Sequence, residues 1–404
     1  MNLLELISGP YAAIRLTQRL KSSSGDGSKI FPPTFEGGVY CYETRRIGGA
    51  AVPCVLLDGV ASSANRQEDA LADLVARRTI ELPHFSCDFS EFPEIGEVTT
   101  LTAPHRVFDA IFRDSELDGK AFPKHPLYAA LSAANTQNAT ALFASAPSAL
   151  LFGAWDSTGS AGGLGNKFAR AIVTEIIGVQ VERGETRGGV RQDPLAISRN
   201  VEISVKGKDW EPKGIADKAG KKEERAKGTR PSEVNHGNVL VKVEFDEADR
   251  RTGEVRHSLK GGITCDYAVQ QSVISLASLR RLRFPLVDHR DPRKSRRDPK
   301  IDDAARAVLA ALGLVAITSA RERGYALRSR CDLVADGIAP FEVLRQDGSA
   351  EEEPLDSRRT IGLYKEAVEH AKKVGLPWDS EPRQMKPQPK LAKLISLSRE
   401  AGGE

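Results

Sequence analysis

The stretch SAPSALLFGAWDSTGSAGGLGNKFARAIVTEIIGVQVERG, residues 145–184, runs from an uncharged apolar segment through a glycine-rich loop into a second apolar run. Beyond the loop, Phe168, Ile172, Ile176 and Ile177 fall at helical spacing, which predicts a helix opening with Lys167 and Arg170. A loop feeding a helix start leaves backbone N–H groups unpaired, and the helix dipole adds positive potential there. Cations in a first turn oppose that dipole. A phosphate would satisfy Gly163, Gly165, Asn166, Lys167 and Arg170 together. The pattern is not a P-loop, because Asn166 separates Gly165 from Lys167 and no Gly-Lys-Ser/Thr is present. Nor is it the dinucleotide fingerprint, which needs a third glycine where Phe168 stands. Two readings stay open, a phosphate contact and a surface loop bent by its glycines.

Toward the N-terminus, the first twenty residues have helix-like stretches interrupted at Gly9-Pro10, followed by polar, turn-rich linkers at 22–29 and 31–38. VYCYETRR (39–46) and VPCVLLD (52–58) have the composition of strands, joined through Ile47-Gly48-Gly49. GVASSANRQEDALADLVARR then predicts a helix capped by Ser62 or Ser63. Its Ser-Ser-Ala-Asn-Arg opening is a second candidate anion site, set against plain capping with a solvated Arg66. A helix near APHRVFDAIFRDSELDG turns Phe108, Ile111 and Phe112 inward. His105 and Asp109, four apart, would either pair as metal ligands or acid and base, or form a local ion pair.

Toward the C-terminus, RNVEISVKGKDW reads as a strand. From Lys206 to Arg230 there follow nine Lys/Arg against five Asp/Glu with almost no apolar residue, which predicts a mobile arm. VNHGNVLVKVEF and GEVRHSLKGGITCDY read as strands, with His236 and Asn238 flanking Gly237 in a turn. AVQQSVISLASLRRLRFP reads as a helix with Arg280 and Arg281 at its basic end, where cations suit the dipole. DDAARAVLAALG reads as a helix capped by Asp302 or Asp303, and LVAITSARERGYALRSRCDLV as a hairpin. TIGLYKEAVEHAKKVG is the last clear helix, before a short helical KLAKLISLSRE.

The chain has 404 residues, 40% hydrophobic and 28% charged, as in a globular protein. A net charge of +3 names no partner, but its distribution is uneven. Residues 79–97 carry five acidic residues and no Lys or Arg, whereas 280–300 carry nine basic residues against three Asp. Such segregation suggests complementary faces or a polyanion site. Five scattered cysteines without a CxxC pair fit a reducing cytoplasm and no structural metal. No signal peptide is expected. The segment from His125 to Trp155 is uncharged yet polar-broken, so it reads as core and not as a membrane span.

Five motifs in order, LLDGVASSANRQEDAL, PHRVFDAIFRDS, ALLFGAWDSTG…NKFARAIVTEIIG, SLASLRRLRFP and LRSRCDLV, resemble the backbone subunit of CRISPR Cascade effectors. The form most similar is that of type I-U (I-G) systems, within the RAMP superfamily. The resemblance spans roughly residues 39 to 335. It implies an α+β fold, a modified RRM (ferredoxin-like) palm over 1–404 with large insertions. These would be a helical insertion at 79–150, a basic arm at 206–234, a basic loop at 285–300 and a C-terminal helical extension at 340–404. It further implies a non-catalytic subunit, without metal or cofactor, whose copies stack head-to-tail along crRNA. Partners would be the large subunit, a guide-processing or end-capping subunit, and a target DNA strand paired to the guide. The family's helix-opening Ser-Gln/Asn-Lys/Arg segment holds guide phosphates, and it maps onto Ser62, Ser63, Asn65 and Arg66, with Ala64 where a relative often has Gln. The glycine-loop residues, His236, Asn238, Arg280 and Arg281 complete the expected RNA contacts. The aromatic pair of an RRM is not evident, so recognition should be of backbone, with sequence read by pairing. Two rival readings are a RAMP-type ribonuclease acting through Asp114 or Asp156, and a metabolic enzyme holding a phosphate on the glycine loop.

Overall fold

A computed structural model describes residues 1–36, 39–156, 167–184, 193–198, 200–206, 209–215, 230–237, 247–248, 255–256, 261–286 and 296–402. The chain is an α+β protein that divides into two compact units. The first comprises Met1–Ser28, Cys41–Val181 and Cys265–Glu404; the second comprises Lys29–Tyr40 and Glu182–Thr264.

Among the described residues the main sheet of the first unit has nine strands. They are β1 (Tyr11–Ser22), β2 (Tyr42–Ile47), β3 (Ala50–Asp58), β4 (Ile172–Arg183), β5 (Ile263–Ser275), β6 (Tyr325–Arg328), β7 (Cys331–Ala335), β8 (Phe341–Arg345) and β9 (Ala350–Glu353). Their order is β6-β7-β1-β5-β4-β3-β2, with β8 sharing the outer edge of β1 and β9 beyond it. The main helices are α1 (Leu3–Ser8), α2 (Val60–Ala76), α3 (Leu276–Arg280), α4 (Pro299–Arg323) and α5 (Ser357–Lys373). α2 falls between β3 and β4 in the chain and α4 between β5 and β7. In the sheet β7, β1, β5 and β4 lie side by side, and β3, which leads into α2, pairs with the far edge of β4.

The strands follow from period-two burial. On β1, Ile14, Leu16, Gln18 and Leu20 are buried while Arg15, Thr17, Arg19 and Lys21 occupy the other face. The β2–β3 hairpin turns through Gly48 and Gly49, at φ +58° and +86°, between paired Ile47 and Ala50. A two-residue turn with both φ positive is the one that suits glycine.

α4 is the element the core gathers around. Asp298 caps it by accepting from the Lys300 N–H at 2.9 Å, Pro299 opens it, and it ends at Gly324 with φ +87°. It is buried on nearly every side, against the inner face of the sheet and against α1, α2 and α5. Gly313 meets the sheet so closely that a Cβ there would lie 2.8 Å from Ile274 Cδ1. No described helix is long and apolar enough to cross a membrane.

A second sheet of five strands in the same unit runs Gly96–Thr99, Phe85–Phe89, Arg383–Pro387, Ser115–Leu117, Lys120–Ala121. Its central strand comes from near the C-terminus and pairs parallel with Phe85–Phe89 and antiparallel with Ser115–Leu117. Residues 79–150 thus carry short strands as well as short helices. The second unit contains an antiparallel hairpin, Val201–Lys206 with Asp209–Ile215, and a short pairing of Glu247–Ala248 with Val255–Arg256.

Several expected elements change type. The helix expected from Phe168 is the strand β4, because a spacing of four is even and so keeps one face in a strand as well as in a helix. The β-branched run Ile172, Val173, Thr174, Ile176, Ile177, Val179 then decides for the strand. AVQQSVIS likewise belongs to β5, and only Leu276–Arg280 is helical. The N-terminal region is a short helix followed by β1. LVAITSARER continues α4, so the hairpin is β6–β7 and the cap is Asp298, not Asp302 or Asp303. Part of the arm expected to be mobile is the strand Asp209–Ile215, while 216–229 lie outside the described residues. β2, β3, α2, α5 and the helix Pro389–Gly402 stand where the sequence puts them.

Candidate nucleic-acid interface

α2 opens directly from β3, with Gly59 as N-cap and no side-chain cap, so Ser62 and Ser63 lie inside the helix. The Ser63 hydroxyl donates to Asp58 Oδ2 at 2.7 Å, and both residues are buried. Ser62 and Asn65 are exposed one turn away. Arg66 donates to the carbonyls of Ala326 (3.2 Å) and Leu327 (2.6 Å) on β6, and its Nε lies 3.3 Å from Asp58 Oδ2. It therefore ties α2 to an edge strand. These groups border a cavity of about 220 Å³ shared with Gln67, Thr174, Gln270 and Tyr325. A polar chain runs through it. Gln67 donates to Thr174 Oγ1 at 2.8 Å, Thr174 donates to Ser272 Oγ at 2.9 Å, and Tyr325 donates to Gln270 Oε1 at 2.7 Å. Burial pushes the Tyr325 phenol up to about 12, so it stays a donor.

A larger cavity, of about 550 Å³, lies where residues distant in sequence meet. Glu68, on the buried face of α2, accepts two bonds from Arg106, Nε and Nη2 each at 2.6 Å. Both partners are nearly inaccessible, Glu68 at 3% and Arg106 at 8% exposure. Arg106 also donates to the Gly153 carbonyl at 3.1 Å and lies 5.6 Å from the centroid of the Phe152 ring. Arg170 is half-buried beside this pair and, among the described residues, has no hydrogen-bond or ion-pair partner. Burial lowers its pKa first, Arg106 lowers it further, and Glu68 partly offsets both. Two guanidinium groups against one carboxylate leave one positive charge in excess.

Apolar walls complete this cavity. Phe152 and Phe168 are buried, and Trp155 is 46% exposed. Gly153, at φ +87°, closes the wall behind Arg170; a Cβ there would lie 2.9 Å from Arg170 Cγ and 3.0 Å from the Phe168 carbonyl oxygen. The short pairing of Ala154–Trp155 with Lys167–Phe168 holds the two wall segments together. Partly desolvated cations beside aromatic faces suit a phosphate with an adjoining base, or any comparable anion with a flat apolar part.

The remaining expected residues are scattered. Arg280 donates to four carbonyls at the end of α1 and the turn after it: Ile7 (2.8 Å), Tyr11 (2.6 Å), Leu6 (3.0 Å) and Gly9 (2.8 Å). Arg281 is exposed next to it. His236, in the second unit, meets Trp210 edge-on with centroids 5.3 Å apart. Gly163, Gly165, Asn166 and Asn238 lie outside the described residues, and of Lys167 only the strand backbone is described. Asp109 accepts from the backbone N–H groups of His105 and Ile111, each at 3.0 Å, so the expected side-chain pair is a helix cap instead. Asp114 is paired with Arg113 (2.8 Å) and Lys390 (2.6 Å), and Asp156 is buried with the Ser132 hydroxyl 3.5 Å away. Arg106, Glu68 and Trp155 were not foreseen as site residues. All three sit in motifs that carry the resemblance, whose spacing alone gives no sign that they meet.

The fold and the cavity define an α+β protein with an anion-suited cleft assembled from separated motifs. Residues 14–183, which include Glu68, Arg106, Arg170 and the named walls of the larger cavity, match the model of the family described as CRISPR-associated protein GSU0053. The match marks a CRISPR-associated protein family, consistent with a Cascade subunit. No curated protein matches the chain.

Proposed function

We propose that this protein is the non-catalytic backbone subunit of a type I-U (I-G) Cascade complex, binding crRNA through its phosphates and presenting its bases for pairing with a target DNA strand. The observation that carries this reading is the meeting of three motifs of the resemblance, through Glu68, Arg106 and Arg170, at one cationic, aromatic cavity inside the matched region. The strand order β7-β1-β5-β4 with α2 and α4 as crossovers suits an RRM-like palm. A subunit serving any guide sequence needs contacts that ignore base edges, and phosphate-directed arginines supply them. Copies meeting through two different surfaces form an open series, as a guide of variable length requires.

Arg170→Ala tests the reading. A hydrogen bond to a charged group contributes about 1.5–3 kcal/mol, so the variant should bind guide RNA roughly tenfold or more weakly. Its log–log salt slope should fall by about 0.7 for a single strand. Two guides of unrelated sequence should be affected alike. Unchanged affinity and slope in a folded variant would remove Arg170 from the interface. Failure of the wild-type protein to bind guide RNA, with or without its partner subunits, would sink the function itself.

A further inference from the structure

The face of the main sheet turned away from α2 and α4 carries a second arrangement of this kind. Its cations are mostly neutralised in place. Arg15 is paired with Glu342 (2.8 Å), Lys21 with Asp336 (3.1 Å), and Arg45 with Glu43 (2.6 Å) and Glu175 (2.5 Å). Arg19 differs, with no acidic partner among the described residues. Its guanidinium instead lies 4.0 Å from the centroid of the Tyr267 ring, across the two central strands β1 and β5.

The ring is anchored. Tyr267 packs against a small apolar cluster on this face formed by Cys54, Ile177, Val179 and Val269. Arg19 is exposed, so the cation sits over the tyrosine and remains open to solvent. The adjoining cross-strand pair, Thr17 and Gln271, is also exposed and offers a hydroxyl and an amide beside the stack. A guanidinium held over an aromatic ring accepts a second flat group on its open side, and its N–H edge remains free for a phosphate. Bases stack on such surfaces with little regard to sequence.

We infer that the Arg19–Tyr267 stack is a platform for an unpaired nucleotide of a single-stranded nucleic acid, its base over the guanidinium and its phosphate toward the guanidinium edge. The platform lies on the sheet face opposite α2 and uses none of the residues of the Arg170 cavity. It goes beyond the proposed guide contact and has its own test.

A short fluorescent oligouridine, followed by anisotropy across a salt series, measures binding to the full chain. Arg19→Ala and Tyr267→Leu should each weaken binding about tenfold, in the range found for loss of one stacked base. Arg19 is exposed, so Arg19→Ala should keep the melting temperature. Arg19→Lys should keep the salt slope yet recover little affinity, because an ammonium group cannot stack as a plane. With 5-iodouridine in the strand, photocrosslinks should map to the peptide holding Tyr267. Wild-type affinity in Arg19→Ala, or full recovery in Arg19→Lys, would overturn the platform. Arg170→Ala in the same series separates the two readings. Loss in Arg170→Ala alone keeps the guide contact and removes the platform, loss in Arg19→Ala alone does the reverse, and no binding by the wild type removes both.

Discussion

The Glu68–Arg106 pair sets the charge of the cavity, and its physics is that of a buried ion pair. Burial is the largest influence on Glu68 and lifts its carboxyl from the usual 4.5 to about 7, against the pull of Arg106. A carboxyl raised in the folded state contributes stability that is complete below its unfolded value and is lost as pH rises through the folded one. Urea unfolding should therefore show the wild type losing stability relative to Glu68→Gln between about pH 4.5 and pH 7. A constant difference between the two proteins over that interval would show that the carboxyl is not raised. Protonation of Glu68 also leaves both guanidinium groups unopposed, so the same titration makes the cavity more attractive to anions at lower pH. Arg170 was legible from its place after the glycine loop. Arg106 was not, because only the folded chain brings the turn before Asp109 against α2.

At the scale of elements, the short α1 depends on a residue far away in sequence. Its six residues are too few to stand alone. Arg280, at the end of α3, donates to the carbonyls of Leu6 and Ile7 in the last turn of α1. Arg280→Ala should cost about 3 kcal/mol, since several partly buried carbonyls lose a charged donor. Arg281→Ala, one residue on and exposed, should leave denaturant midpoints unchanged. Equal midpoints for the two variants would show that the four bonds contribute nothing net. Elements read well where the chain announces itself locally, as with the diglycine turn of β2–β3 and the long amphipathic pattern of α5. They read badly where apolar residues recur every fourth position, as in β4 and β5, since that interval fits either geometry until β-branched content or burial on both faces decides.

For the whole molecule, the proposed assembly predicts quantised growth. Complexes reconstituted on guides of increasing spacer length should gain mass in whole copies of this chain, measured by native mass spectrometry. A single mass for every guide length would rule out assembly along the strand. The charge segregation that suggested complementary faces is partly answered inside the chain. Glu81 pairs with Lys372 and Glu94 with Arg399, so the acidic stretch is not all available to a neighbour. The sequence also gave no sign that a strand from the C-terminal region completes the second sheet, because such pairing leaves no local periodicity to read.

That last strand has a consequence for how the protein is made. Arg383–Pro387 fills the centre of a sheet whose Phe85–Phe89 neighbour leaves the ribosome about 300 residues earlier. At about 5–20 residues per second of synthesis, the earlier strand waits roughly 15–60 s with an unsatisfied edge. An open, apolar edge is the surface that invites wrong partners, so the nascent chain needs shielding during that interval. A chain cut short before Arg383 cannot close this sheet and is left with the Phe85–Phe89 edge unpaired on that side.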